Sequence, residues 1–221
     1  MFHRLLKFIP NRKFLSYGLI TLFGLLTACS PTNELSPEEF ERGKIAFESC
    51  LICHSTQEMQ RGPIIDGLPA WYSKHQLEKF NKAIRGEKPG NRSEYLMASV
   101  RDRFADDATI DLLARYIEQL KPQERHPVVR GDAAKGRSLY YRCIACHGAL
   151  GQGNAQLKSP PLNIQEDWYL LDQLRKFAKG NRGYHIEDVS GQQMAAAMIG
   201  LEDQALKDIV SYMQNFEPKK Q

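Results

Sequence analysis

Cys50-Leu51-Ile52-Cys53-His54 and Cys143-Ile144-Ala145-Cys146-His147 are two copies of C-x-x-C-H in a chain of 221 residues. That spacing puts two thiols on one helical turn, and it is the attachment signature of c-type haem. The thiols add to the haem vinyl groups as thioethers. The adjacent histidine is then held under the iron as the proximal axial ligand. Cys50, Cys53, Cys143 and Cys146 are therefore candidate attachment residues, and His54 and His147 candidate iron ligands. Two other chemistries use paired cysteines. A thioredoxin-like dithiol wants a βαβ setting, whereas both flanks here read as helical. A zinc site built from the four thiolates would leave both histidines without a part.

The elements that must position these groups repeat along the chain. Ser36-Pro37-Glu38-Glu39 is a helix start, with serine as cap, proline in the first turn and glutamate three residues on. Gly43, Phe47 and Cys50 follow at helical spacing. In the second half Asp132 is the expected cap, and Gly136, Tyr140 and Cys143 recur in the same phase. Downstream, Trp71, Leu77, Phe80 and Ile84 form one apolar helical stripe, and Trp168, Leu174, Phe177 and Ala178 the next. Met97 lies 17 residues after Phe80, and Met194 lies 17 after Phe177. A closing helix ends each half: Leu112, Leu113, Tyr116, Ile117 and Leu120 in the first, Leu206, Ile209, Val210, Tyr212, Met213 and Phe216 in the second. Pro122 and Pro127 break the connection between them. No segment reads as a strand.

On these residues the chain resembles the class I cytochromes c, and as a tandem pair it is similar to the dihaem cytochrome c4 group. The resemblance implies an all-α fold of two tandem cytochrome c domains, each wrapped around a covalently attached haem. The expected bounds are 36–126, including the linker, and 127–221. Gly43 with Phe47, and Gly136 with Tyr140, are expected to pack each first helix against its last. The resemblance also places a ligand methionine before the closing helix, so Met97 and Met194 are the expected distal ligands. His/Met ligation raises the potential and suits electron transfer. Met198 is the rival in the second half, but Arg101 stands at its counterpart. Met59 lies too close to His54, and Met213 reads as core. His185 is the one substitute imidazole, while His75 and His126 read as surface residues. A proline carbonyl, from Pro63 and from Pro160 or Pro161, is expected to accept the proximal imidazole N–H. The first half is four residues shorter after its histidine, where Ser55-Thr56-Gln57-Glu58 replaces the loop of Gly148, Gly151 and Gly153.

The N-terminus reads as an export signal. Arg4, Lys7, Arg12 and Lys13 precede an apolar run, Phe14 to Leu26, that is short for a membrane span. Leu26-Thr27-Ala28-Cys29 resembles a bacterial lipobox, which implies a signal peptide over 1–28, lipidation of Cys29 and a tether over 29–35. An uncleaved anchor is the other reading. The formal charge of +4 resides in the signal, because removing its four basic residues from the 30 leaves as many as the 26 Asp and Glu. The charge balance therefore points to no nucleic-acid partner. With Cys29 lipidated and four cysteines on two haems, none of the five is left for a disulfide or a catalytic thiol. Lys74, Lys79, Lys82, Arg85, Lys88 and Arg92 crowd one stretch and read either as a solvated helix face or as a docking patch for an acidic partner.

Together these residues point to a membrane-tethered dihaem electron carrier on the periplasmic side of a bacterial membrane. It would pass single electrons from a quinol-oxidising complex toward a terminal oxidase or reductase. The alternatives are a dihaem peroxidase or a dehydrogenase of a small inorganic substrate, a ligand sensor, and a fixed subunit of a larger complex. An enzyme or a sensor requires an open iron.

Overall fold

Ser36 caps the first helix as its sequence predicts. Its hydroxyl accepts from the Glu39 N–H, and the Glu39 carboxylate accepts from the Ser36 N–H. The computed structural model describes residues 34–56 and 60–216; the expected signal peptide, Cys29 and Met59 lie outside them. In the first unit come α1 (Pro37–Glu48), α2 (Ala70–Asn81), α3 (Arg92–Ala98), a 3-10 turn over Arg101–Phe104 and α4 (Asp107–Gln119). The second unit has α5 (Ala133–Tyr140), a 3-10 turn over Tyr141–Cys143, α6 (Ile144–His147), α7 (Asp167–Ala178), α8 (Val189–Ala197) and α9 (Asp203–Met213). Among the described residues the only extended pairing is an isolated bridge between Asn154 and Ser159. No helix among them is long and apolar enough to cross a membrane.

Each unit closes by packing its first helix on its last, α1 on α4 and α5 on α9. The glycines permit this. A Cβ on Gly43 would lie 2.8 Å from the Tyr116 Cβ, and one on Gly136 would strike the Asp208 carbonyl oxygen. The aromatic four residues on fills the crossing: Phe47 meets the Tyr116 ring at 5.5 Å, and Tyr140 meets Tyr212 at 5.6 Å. Around each crossing sits an apolar core, built on Leu77, Phe80, Phe104 and Ile110 in one unit and on Leu170, Phe177, Leu206 and Val210 in the other. The expected stripe through Ile84 ends earlier as a helix. The chain turns at Ala83, with φ +58°, and Ile84 is buried beyond the helix end. The connection between the units is irregular, and from Val128 it is tied to the second one. Asp167 accepts from the Val128 and Val129 N–H groups at 2.8 and 2.7 Å.

The units meet through a buried polar lattice that the sequence reading did not anticipate. Arg85, expected in a solvated face or a docking patch, is 5% exposed, as is Lys79. Lys74, Lys82, Lys88 and Arg92 remain half-buried or exposed, so the basic stretch is split between interface and surface. The lattice follows an offset of 97 residues. Arg85 donates to Gln173 and its counterpart Arg182 donates to Gln76; each also bonds the glutamine of its own unit. Lys79 donates to Ser190 at 2.9 Å, and its counterpart Lys176 donates to Ser93 at 2.7 Å. Each guanidinium lies 4.6 Å from the phenylalanine ring of its own unit, Phe80 or Phe177. The carboxylates break the symmetry. Glu94 pairs with Arg85, whereas Asp188 reaches across to Lys79.

Candidate haem sites

Both C-x-x-C-H motifs fold as single helical turns at the end of their first helix. In the first, the Cys53 and His54 N–H groups donate to the Cys50 carbonyl. In the second, Cys143 ends the 3-10 turn, α6 carries Cys146 and His147, and Gly148 stops the helix at φ +78°. The thiols are not bonded to one another. Cys50 and Cys143 pack against the apolar cores of their units, and Cys146 is exposed. Burial pushes the Cys143 thiol up to about 11 and raises Cys50 as well. A reactive dithiol needs the opposite shift, so the setting speaks against a thioredoxin-like pair. Among the described residues no three His, Cys, Asp or Glu are grouped to hold a metal ion, and the two cysteine pairs are not assembled into one zinc site.

Each histidine is seated by a proline carbonyl. His54 Nδ1 donates to Pro63 O at 2.6 Å, and His147 Nδ1 donates to Pro160 O at 3.0 Å. A carbonyl only accepts, so Nδ1 carries the proton and Nε2 carries the lone pair for a metal. Burial lowers the pKa of both rings, which keeps them in the neutral form that a metal requires. Of the two prolines considered for the second unit, Pro160 is the acceptor. The four-residue shortening lies between histidine and proline. The longer second loop holds itself together through Gly153 N–H to His147 O and Leu162 N–H to Gly151 O. In the shorter first loop Gly62 lies under the imidazole, where a Cβ would be 2.7 Å from the His54 ring.

Met194, in α8, lines one pocket with His147 among Leu162, Leu170, Leu174 and Phe177. Its rivals do not line that pocket. Met198 is 3% exposed and belongs to the apolar core, Met213 is core in α9, and His185 accepts from the Glu187 N–H in the loop before α8. Met97 sits at the equivalent place in α3 and packs, partly buried, against the first core together with Cys50. His75 lies elsewhere than sequence reasoning put it. It reaches from α2 into the pocket of His147, where burial and the Lys79 charge lower it to about 4. Its helical position alone could not signal this, because the surface it meets belongs to the other unit.

The cytochrome c family profile matches residues 40–121 and again 133–217. The chain belongs to the cytochrome c family. Across both domains this cytochrome c is similar to cytochrome c4 of Azotobacter vinelandii, 26% identical over 214 residues, which cover 89% of the chain and 97% of the relative. Its fold is similar to that of reduced recombinant cytochrome c4 from Pseudomonas stutzeri, with a TM-score of 0.60 and 21% identity over 80% of the chain and 98% of that structure. Thiosulfate dehydrogenase from Marichromatium purpuratum shares the fold at a TM-score of 0.62 and 24% identity, over 80% of the chain and 40% of that structure. As a dihaem cytochrome c of this kind, the protein carries two covalently bound haem c groups, one to each domain. The residues present fit them: unpaired thiols, neutral imidazoles oriented by carbonyls, and a pocket shared by histidine and methionine. The interface holds four buried cations, of which Lys79, Arg85 and Lys176 pair with Asp188, Glu94 and Asp172, while Arg182 bonds only neutral groups among the described residues, Gln76, Gln173 and Tyr72. A buried cation with only neutral partners suits a group that brings carboxylates of its own.

Proposed function

We propose that this dihaem cytochrome c4-like electron carrier works on the periplasmic side of a bacterial membrane, tethered by a lipid on Cys29. Cys50 with Cys53, and Cys143 with Cys146, form the thioethers. His54 and His147 are the proximal ligands, and Met97 and Met194 the distal ones. When bound, haem c supplies an iron that takes up and releases one electron without making or breaking bonds to a substrate. The chain's residues keep that exchange cheap. The Pro63 and Pro160 carbonyls hold each imidazole ring and raise its basicity. The Met97 and Met194 thioethers would be the second protein ligands to the iron, and a soft sulfur there would favour its reduced form. The apolar walls of each domain exclude water. Pocket-sharing by His147 and Met194, with Met97 at the matching place, carries the reading.

The donor in this reading is a quinol-oxidising complex and the acceptor a terminal oxidase or reductase. The carrier reading predicts that the reduced protein passes electrons to a protein acceptor but does not turn over hydrogen peroxide, and that the oxidised protein, supplied with an electron acceptor, does not oxidise thiosulfate. Replacing Cys29 by serine is expected to move the protein from the membrane to the soluble periplasmic fraction. Turnover of either small molecule contradicts the carrier reading, and an unchanged membrane fraction contradicts the lipid tether.

A further inference from the structure

Glu166 occupies the N-cap position of α7, where Asp, Asn, Ser or Thr ordinarily accepts from its own helix. It makes no such bond. Its side chain turns instead to the other domain. The two carboxylate oxygens accept from Gln60 Nε2 at 2.9 and 2.7 Å, and one of them also accepts from the Ile64 N–H at 2.8 Å. Gln60 and Ile64 bracket the segment that seats His54. Between them lie Gly62, packed under the imidazole, and Pro63, whose carbonyl accepts from His54 Nδ1. Both loops bond back to their own motif, through the Arg61 and Gly62 N–H groups to Cys53 O in the first domain and the Gly153 N–H to His147 O in the second. The longer second loop adds the Asn154–Ser159 bridge and the Leu162 N–H to Gly151 O bond from within its own domain. At the offset of 97 the residue matching Glu166 is Pro69, which has no carboxylate to offer in return.

We propose that Glu166 is a positioning residue for the first haem: the second domain, through this carboxylate, holds the proximal histidine of its neighbour. The proposal rests on the reading of His54 as an iron ligand. The short loop of the first domain is then completed by the second, and domain docking enters the properties of the first haem. With the clamp removed, the Pro63 carbonyl holds the Nδ1 proton less firmly. The imidazole becomes less basic, the oxidised iron is less stabilised, and the first potential rises.

The test uses the full-length reduced holoprotein labelled with 15N-histidine. The Nδ1–H signals of His54 and His147 are assigned through their contacts to Pro63 and Pro160, and their exchange with D2O is followed. Glu166→Ala is expected to speed exchange at His54 by about tenfold or more, the scale of losing a charge-assisted hydrogen bond. His147 stays unchanged, and one of the two midpoint potentials rises. Glu166→Gln keeps an oxygen for the Ile64 N–H and is expected to restore protection at His54. Unchanged exchange at His54 in the alanine variant overturns the proposal. Equal acceleration at both histidines also overturns it, since that marks a general loosening of the docking. If the His54 ring of the unaltered protein titrates as a free imidazole, the ligand assignment itself fails, whatever Glu166 does.

Discussion

Reduced Met194→Ala protein is expected to bind one carbon monoxide per molecule, at the second haem. The side chain that shares a pocket with His147 is lost, and the alanine methyl cannot bind iron. The potential of that haem falls with the thioether, because a soft sulfur favours the reduced metal. Met198→Ala, four residues on, is expected to behave in the opposite way. Met198 is buried in the core with Leu206 and Phe216, so its truncation leaves a cavity and costs about 2–5 kcal/mol. Its iron stays closed to carbon monoxide. Gas titration and denaturant unfolding of the two variants separate ligand from core filler. A closed iron in Met194→Ala together with an open one in Met198→Ala reverses the assignment.

Lys79→Met strands a carboxylate inside the interface. Lys79 Nζ lies 2.5 Å from Asp188 Oδ1, and both side chains are buried. Removing one partner of such a pair costs about 3–5 kcal/mol, because the remaining charge keeps its desolvation penalty and loses its counter-ion. Replacing both, as Lys79→Met with Asp188→Leu, is expected to recover most of that loss, since neither charge is left uncompensated. Burial works to raise the Asp188 carboxyl, but the Lys79 ammonium and the Gly191 N–H overcome it and hold the group below the usual carboxylate range. A depressed carboxylate stabilises the fold above its unfolded pKa of about 4 and loses that contribution as pH falls through the folded value. Stability of the parent protein is therefore expected to fall on acidification below about pH 4, and the doubly substituted protein to lack this part of the fall. Unfolding curves at neutral and acid pH test both statements. Full stability of the single variant contradicts them.

Much of this architecture was legible because the chain states it twice. The offset of 97 that relates Phe80 to Phe177 and Met97 to Met194 carries the distal half of each domain. The capping box at Ser36 and the cap at Asp132, which accepts from the Ala134 and Lys135 N–H groups, mark helix starts whose physics is local. Pro63 and Pro160 were candidates, and geometry identified the acceptor. The interface was not legible. Lys79 and Arg85 on a helix read as solvated charges unless a partner is known, and Asp188 and Gln173 lie too far along the chain to suggest themselves. One signal was present: Gln76, Lys79 and Arg85 recur as Gln173, Lys176 and Arg182 in the same phase. Polar side chains repeated in register with the apolar stripe mark a shared surface between the repeats. Glu166 had no such signal, because its role depends on a loop shortened only in the first domain.

Exposure of the reduced full-length protein to carbon monoxide, followed by its visible spectrum, tests the central claim most directly. An unchanged spectrum is expected, with both irons closed by His54 and Met97 and by His147 and Met194. Ready binding at either haem contradicts the carrier reading and identifies an open site of the kind an enzyme or sensor needs.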